Sequence, residues 1–235
     1  MSGFVIAVDG PAASGKGTIA TLLGEHFGLP VLDTGLLYRA VGVSLLREGG
    51  DLDDEAAAAA VARRLDIRTL NDPDFRALGS GEAASRVAAH PAVREALLDL
   101  QRAFAAQPAG AVIDGRDIGT VIVPEAPAKL YVTASAEERA RRRWRQLAAD
   151  GGGPSFEDVL DDIGRRDDRD AGRADAPMKP APDAVLLDTT EMTISAAADA
   201  ARRIVEAARA RWERSHGKSN RAEPSTAAGA NRRPT

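Results

Sequence analysis

A glycine-rich segment near the start of the chain carries the residue types needed to bind a polyphosphate. An apolar run that ends at Asp9 precedes it and an amphipathic stretch follows it, so the predicted order is strand, loop, helix. Glycines let backbone N–H groups turn inward, and the helix start adds unpaired N–H donors and the positive end of its dipole. The residues predicted to surround the phosphates are Gly10, Pro11, Ala12, Ala13, Ser14, Gly15, Lys16, Gly17 and Thr18.

Two side chains of this segment indicate how the phosphate charge would be neutralised. Lys16 supplies a mobile cation for the terminal phosphates, and the hydroxyl of Thr18 suits a magnesium ion, held partly through water. A tight strand-to-helix turn with no ligand is the alternative interpretation of the same glycines. The lysine and the threonine both stand in the register that phosphate binding requires, which favours the phosphate site.

Composition restricts the class of protein. The chain has 235 residues, of which 44% are hydrophobic, enough for one large domain or a core domain with insertions. A net charge of −4 argues against a nucleic-acid partner, and the lack of cysteine excludes disulfides and thiolate metal sites. No apolar run reaches the ~18 residues that span a bilayer, and the first strand begins too early for a signal peptide. We expect a cytoplasmic monomer with no membrane partner.

Alternation of short apolar runs with helical patterns predicts an α/β fold with a parallel sheet covered on both faces. Strands are predicted at 4–9, 31–33, 111–114, 129–133 and 184–188. Helices are predicted at 16–27, 35–48, 91–106, 136–149, 155–169 and 194–212. Such sheets bind ligands beyond the carboxyl ends of their strands, where Asp9, Asp33 and Asp114 stand.

Two stretches interrupt this alternation within a domain expected to span 1–214. Residues from about 50 to 90 are predicted to form an insertion beside the core. Gly151 to Pro154 separate two arginine-rich helices and indicate either the tip of a lid, at about 142–158, or an ordinary loop. Apolar residues vanish from about Ser215, so 215–235 is predicted to be a disordered tail.

Arginines recur at the predicted carboxyl edge of the sheet. Asp33-Thr34-Gly35 ends the second strand and leads to Tyr38-Arg39, and Asp114-Gly115-Arg116-Asp117 ends the third. The run Arg165-Arg166-Asp167-Asp168-Arg169-Asp170 adds alternating charges, followed by Arg173. A planar guanidinium fits two phosphate oxygens at once, which suits a second anionic ligand. Salt bridges on a solvated helix face are the alternative interpretation of that run.

Several segments together resemble the bacterial cytidylate kinases over about residues 3–210. Many nucleoside monophosphate kinases share the Lys-Gly-Thr loop, whereas the Asp-Gly-Arg-Asp and Arg-Asp-Asp-Arg-Asp stretches are much more specific. The matching segments are Asp9–Pro11, Ser14–Thr18, Leu32–Gly35, Tyr38–Arg39, Ala84–Ser85, Val87–Ala89, Val93–Leu98, Gln101–Arg102, Asp114–Asp117, Gly119–Thr120, Arg166–Asp170 and Arg173.

The resemblance implies a P-loop kinase fold: a five-stranded parallel sheet flanked by helices, with a nucleotide-monophosphate-binding insertion and a small lid. It also implies the reaction, direct in-line transfer of the γ-phosphoryl group of ATP to CMP or dCMP with Mg²⁺. Relatives usually carry a longer segment with a small antiparallel sheet between Leu65–Arg68 and Ala84–Ser85. We therefore expect a shortened insertion, in which Arg76 replaces a lost arginine.

Residue roles are carried over from the same resemblance. Gly10 to Thr18 would hold ATP. Catalytic charge neutralisation would fall to Lys16, Arg116, Arg166 and Arg173. Arg142 and Arg145 would close over the transferring group, and Asp33 or Asp114 would orient magnesium waters or else merely cap strand ends. The residues implied to bind CMP are Ser85, Arg94 and Asp117 at the base, Arg39, Arg116, Arg166 and Arg173 at the phosphate, Asp170 at the ribose, and Thr34 and Tyr38 beside them.

Other interpretations stay open at the level of sequence. The nearest alternative among enzymes is a kinase that phosphorylates UMP, AMP or shikimate. An alternative of another class is a regulator that binds a nucleotide without turning it over. The basic stretch from Arg202 to Arg233 allows nucleic-acid binding, although a solvated helix and a disordered tail fit it better. The histidines, His26, His90 and His216, are too scattered for a metal site, and Trp144 and Trp212 are predicted to pack against the core.

Overall fold

Five parallel strands form the centre of the computed structural model, which describes residues 3–77, 79–148 and 153–219. The strands are β1 (Val5–Asp9), β2 (Val31–Asp33), β3 (Ala111–Gly115), β4 (Ala128–Thr133) and β5 (Val185–Asp188). Their order in the sheet is β2-β3-β1-β4-β5, and every neighbouring pair is parallel. The carboxyl ends of all five strands therefore meet at one edge.

Helices connect the strands and cover the sheet. Within the described ranges they are α1 (Lys16–Phe27), α2 (Thr34–Arg47), α3 (Glu55–Arg63), α4 (Ser80–Val87), α5 (Pro91–Ala105), α6 (Ala136–Ala148), α7 (Phe156–Ala171) and α8 (Ile194–Ser219). Short 3-10 turns lie at Ile67–Thr69 and Pro73–Arg76, and a π turn follows β3 at Ile118–Ile122. The predicted α/β fold with a five-stranded parallel sheet is confirmed.

Alternation along β1 divides the interior into two apolar layers. Val5 and Ala7 face the layer that α2, α3, α4 and α5 fill, whereas Ile6 and Val8 face the layer that α1 and α8 fill. All four side chains are at most 5% exposed. A strand buried on both faces needs apolar residues at every position. This explains the continuous apolar run before the glycine-rich segment from Gly10 to Thr18, which we call the phosphate loop.

The segment at 50–90 packs beside the core through helices. Its described part, all but residue 78, contains α3, α4 and two 3-10 turns but no strand. Ala58, Ala59, Ala62 and Phe75 are buried in the same layer as α2 and α5. The alanine-rich stretch thus forms a helix that can approach its neighbours closely, and the insertion shares the core of the domain.

Two predictions about the helices are wrong. Trp144 was expected to pack against the core, but it lies on α6 with 38% of its surface exposed, because the buried face of that helix is formed by Arg139 and Ala140. Trp212 does pack, edge-on against Phe4 at 5.5 Å between ring centroids. The final helix continues to Ser219, past the expected start of the tail, and residues 220–235 lie outside the described part.

Backbone geometry at two glycines shapes the loop between β1 and α1. Gly10 has φ of +145°, and a Cβ there would lie 1.9 Å from the carbonyl oxygen of Val132 on β4. Gly15 has φ of +89° and forms the N-cap of α1. The backbone at Gly10 is therefore in close contact with β4 before the chain turns into α1. Only glycine can occupy that position, because any other residue would add a Cβ.

We expect Gly10→Ala to destabilise the fold through this contact. Gly28→Ala is the matched control, since Gly28 also has positive φ, +65°, but a Cβ there meets nothing within 4 Å. The control should cost about 1 kcal/mol of unfolding free energy from the left-handed backbone alone, and Gly10→Ala about 3 kcal/mol or more from added overlap. Urea unfolding of both variants measures the difference, and equal losses would contradict the close approach at Val132.

Candidate active site

The phosphate loop ends at the start of α1 with its lysine held beside a carboxylate. The Nζ of Lys16 lies 3.6 Å from Oδ1 of Asp114 at the end of β3. Ser14 is fully buried, and its Oγ and the Oδ1 of Asp114 are among the buried side-chain atoms of the described residues that have no hydrogen-bond partner. Unpaired polar atoms are rare in protein interiors, and of these two the Asp114 oxygen faces the ammonium group of Lys16 just beyond hydrogen-bond distance.

Two arginines of α6 hold the phosphate loop from its outer side. Arg139 on α6 is buried and donates to the carbonyls of Ala134 (2.9 Å) and Ala12 (3.4 Å). Arg142 donates to the carbonyl of Ser14 (3.4 Å) and to the Oγ1 of Thr189 (3.0 Å). The guanidiniums of α6 therefore fix the backbone of the phosphate loop.

Thr189 is a site residue that the sequence interpretation missed. It directly follows β5, is 3% exposed, and its Oγ1 lies 3.0 Å from the carbonyls of both Ser14 and Thr133. Met192, Thr193 and Ile194 follow it along the same cleft. The available signal was their position after the fifth predicted strand, since the carboxyl ends of parallel strands share one edge.

A buried ion pair stands at the opposite end of the cleft. Arg94 on α5 donates through Nη2 to Oδ2 of Asp117, and its Nη1 lies 3.4 Å from the hydroxyl of Tyr38. Both charged side chains are 7% exposed. Burying two charges is costly unless they are paired and hydrogen-bonded, so this pair presents a fixed carboxylate and a fixed guanidinium to the cleft.

The loop that carries Asp117 is held by a carboxylate on the central strand. Oδ1 and Oδ2 of Asp9 accept from the backbone N–H groups of Ile118 and Gly119, both at 2.8 Å. Burial raises the pKa of Asp9 to about 7, although the two backbone hydrogen bonds oppose the shift. Asp9 thus positions the loop that carries Asp117 and does not itself line the cleft.

Arginines cluster between the two ends. Nε of Arg116 donates to Oδ2 of Asp170 at 3.0 Å, and Nη2 of Arg173 donates to Oδ1 of the same carboxylate. Arg166 lies nearby on α7, and the Nε atoms of Arg166 and Arg173 are buried without a hydrogen-bond partner. Asp170 therefore holds two arginines here, while its implied contact with a ribose stays a prediction.

The cations of this cluster are only partly compensated. Burial and then the charge of Arg116 lower the pKa of Lys16, although Asp114 acts in the opposite direction. The same two causes lower the pKa of Arg166. Burial raises the pKa of Asp114 and outweighs the stabilising effect of Lys16. Burial disfavours the charged forms of Lys16 and Arg166, and an anion entering the cleft would offset the repulsion that Arg116 exerts on both cations.

One cleft of about 640 Å³ joins these parts, a volume typical of small-molecule sites. It brings together most of the sequence-predicted residues. Those lining it are Ala13, Ser14, Gly15, Lys16, Gly17, Thr18, Thr34, Tyr38, Arg39, Ser85, Arg94, Arg116, Asp117, Arg142, Arg145, Arg166, Asp170 and Arg173.

Four residues assigned to the nucleotides lie elsewhere. Gly10, Pro11 and Ala12 are buried beneath the loop, because only from Ala13 onward does the backbone face the cleft. They shape the loop and do not line the cleft. Arg76 is exposed, with Nη1 3.5 Å from the carbonyl of Leu70, and does not line the cleft either, so its proposed substitution for a lost arginine is not seen.

The donor set suits a magnesium ion that arrives with a nucleotide. Thr18, in the first turn of α1, and Asp114, on β3, both line the cleft. Asp33 lines the cleft too, but it also caps α2 by accepting from Leu36 N at 3.2 Å. No cluster of three or more His, Cys, Asp or Glu side chains able to hold a metal occurs in the described ranges. A hard cation with several water ligands fits such sparse oxygen donors.

The histidines have packing roles where their side chains are described. His26 stacks edge-on against Phe27, with ring centroids 4.7 Å apart, and Nε2 of His90 lies 2.8 Å from the carbonyl of Leu52. The side chain of His216 lies outside the described part. The expectation of surface or packing roles is thus confirmed for the first two.

Comparison with known proteins identifies the family. Residues 6–208 match the family model described as cytidylate kinase. This chain belongs to the cytidylate kinase family. A cytidylate kinase from Caulobacter vibrioides is 68% identical over 209 residues, covering 89% of this chain and 98% of that protein. One from Xanthobacter autotrophicus is 60% identical over 206 residues, covering 88% and 99%.

A solved structure of an uncharacterized protein from Eubacterium ventriosum shares the fold, with a TM-score of 0.52 and 14% identity over 86% of this chain and 98% of that one.

The near-complete coverage of the two cytidylate kinases means that neither contains a long segment that this chain lacks. The short insertion is therefore common to these cytidylate kinases.

Among the residues that the structure describes, no helix is long and apolar enough to cross a bilayer.

We expect Asp9→Asn to change how stability depends on pH. The pKa of Asp9 in the folded state, about 7, exceeds the ordinary aspartate value of 3.8, so the folded state holds a proton that the unfolded state releases between these pH values. Wild type should therefore gain stability relative to Asp9→Asn as pH falls, by about 2 kcal/mol between pH 8 and pH 5.5. Urea unfolding at both pH values tests this, and a difference independent of pH would contradict it.

Proposed function

We propose that this chain transfers the γ-phosphoryl group of ATP directly to CMP or dCMP, giving ADP and CDP or dCDP. The observation that carries the proposal is the single cleft that joins a phosphate loop to the buried Arg94–Asp117 pair, with arginines between them. Membership of the cytidylate kinase family supports the same reaction.

ATP would bind at the phosphate-loop end. Backbone N–H groups from Ala13 to Thr18 would surround its phosphates at the N-terminus of α1. Lys16 would contact the terminal phosphates, and Arg142 lies within reach beside Ser14. The segment 192–194 would contact the base, since it offers apolar surface along the same cleft.

CMP would bind at the Arg94–Asp117 end. The Asp117 carboxylate would accept from the exocyclic amine of cytosine, as carboxylates do elsewhere, and Arg94 would contact the same edge of the base. Tyr38 and Thr34 line the cleft beside this pair. The CMP phosphate would be held by Arg39, Arg116, Arg166 and Arg173.

The chemistry needs positioning and charge neutralisation more than acid–base catalysis. The attacking oxygen of CMP is already anionic, so no general base is required for in-line attack on the γ-phosphorus. Lys16 and the arginines would neutralise the charge that moves with the phosphoryl group. Mg²⁺ bound with ATP would supply further neutralisation of the phosphate oxygens, with Thr18 in its shell and Asp33 or Asp114 holding its waters.

A lid at about 142–158 would exclude water from the reaction. Val159 and Ile163 on α7 pack against Ala140 on α6, so the two helices that flank the lid tip form one unit. Arg142 and Arg145 project from α6 into the cleft. Closure over the bound nucleotides would keep water from accepting the phosphoryl group. We further propose that the chain acts as a monomer, because residues of one chain line the cleft, and that it acts in the cytoplasm, where its nucleotide substrates are found.

Removal of the phosphate-loop lysine tests the reaction. We expect Lys16→Ala to lower kcat for CMP about 10³-fold, because a cation that stabilises the transferring group is lost. The control is Lys179→Ala, which removes an exposed lysine outside the cleft and should leave the rate unchanged.

The measurement is ADP release coupled to acceptors CMP, dCMP, UMP and AMP. CMP and dCMP should be preferred over the other two. Turnover that prefers UMP or AMP would overturn the proposed acceptor, and ATP binding without CMP-dependent ADP release would favour a regulator without turnover.

A further inference from the structure

One arginine on α7 reaches across the cleft wall to the insertion. Nη1 of Arg169 donates to Oγ of Ser85 at 2.7 Å and to Oε2 of Glu82 at 3.2 Å, and its Nη2 donates to Oε1 of Glu82 at 2.9 Å. Both acceptors lie on α4. Ser85 lines the cleft and is 5% exposed, whereas Arg169 does not line the cleft. Ser85 is therefore the residue that connects Arg169 to the cleft by a direct hydrogen bond.

The hydrogen bond from Arg169 limits what Ser85 can offer. A serine hydroxyl has one proton and two lone pairs, and a guanidinium has donors but no acceptor. The bond thus occupies one lone pair and excludes the proton from that direction. A charged donor also polarises the hydroxyl, which strengthens its O–H as a donor. Ser85 is therefore biased to donate towards the cleft.

Glu82 keeps Arg169 in this orientation. Its two oxygens accept from both terminal nitrogens of the guanidinium, a fork-on-fork geometry that fixes the plane of the arginine. Arg166 and Asp170 lie on the same helix and line the cleft. The position of α7 is thus linked to that of α4, and the phosphate end of the acceptor site is linked to the wall that holds Ser85.

We propose that Arg169 is a positioning residue for base selection: it orients the Ser85 hydroxyl as a donor to the pyrimidine ring. This rests on the proposed function. Cytosine has an unprotonated ring nitrogen, N3, that accepts a hydrogen bond, whereas uracil carries a proton there. A hydroxyl biased to donate favours cytosine and disfavours uracil, because a donor facing the N3–H of uracil leaves both groups unpaired.

Kinetics of Arg169→Ala test the proposal, with Arg165→Ala as the matched control. Arg165 is on the same helix and is exposed, paired with Asp162 at 3.6 Å, so its removal takes away one charge without touching Ser85. We expect Arg169→Ala to raise KM for CMP about tenfold, with KM for ATP unchanged. The ratio of kcat/KM for CMP to that for UMP should fall about fivefold. The control should match wild type.

A second arm separates positioning from a merely structural link between α4 and α7. In a Ser85→Ala background, Arg169→Ala should change the CMP to UMP ratio by less than about twofold, because the hydroxyl it orients is absent. An equal fall of the ratio in both backgrounds, or Arg169→Ala behaving as Arg165→Ala does, overturns the proposal. Should Arg169→Ala not fold, Arg169→Lys, which keeps the charge but lacks the fork, decides by the same ratio.

Wild type supplies the remaining distinction. If it phosphorylates CMP but the Arg169 variants match the control, only the positioning role fails. If it does not phosphorylate CMP, the proposed function fails and the positioning role fails with it.

Discussion

Burial of several cations at one edge of the sheet is the constraint on which the rest of the site depends. Lys16 and Arg166 have lowered pKa values because burial and Arg116 disfavour their charges. Asp114 compensates Lys16, and Asp170 compensates Arg166, only in part. Such a cluster persists only where the scaffold holds each group in place, and binding an anionic ligand relieves it. Under the proposed function, these cations are in place before the phosphates of the nucleotides bind.

The parallel sheet supplies that scaffold by bringing three carboxylates to one edge with three different tasks. Asp33 caps α2, Asp9 holds the backbone after Asp117, and Asp114 faces Lys16. The loop at Gly10 must press against β4 to reach this edge. The strand ends thus link the fold to the site. A small shift of one strand would displace residues at both ends of the cleft.

Much of this arrangement follows from local sequence. Continuous apolar runs identify buried strands, and the glycines and lysine of the loop carry their own geometry, so the sheet and most of the cleft were predictable. Contacts between distant segments were not. Thr189 meets Ser14 across the sheet edge, and Arg169 meets Ser85 from another helix. The exposure of Trp144 was not predictable either. An aromatic residue was expected on the buried face of α6, but Arg139 is buried there instead.

A crystal structure of the chain with CMP and a non-hydrolysable ATP analogue tests the central claim most directly. The account predicts the pyrimidine beside Asp117 and Arg94, and the two sets of phosphates meeting between Lys16 and Arg166. A pyrimidine bound anywhere else, or Asp117 and Arg94 turned outward to solvent, would contradict it.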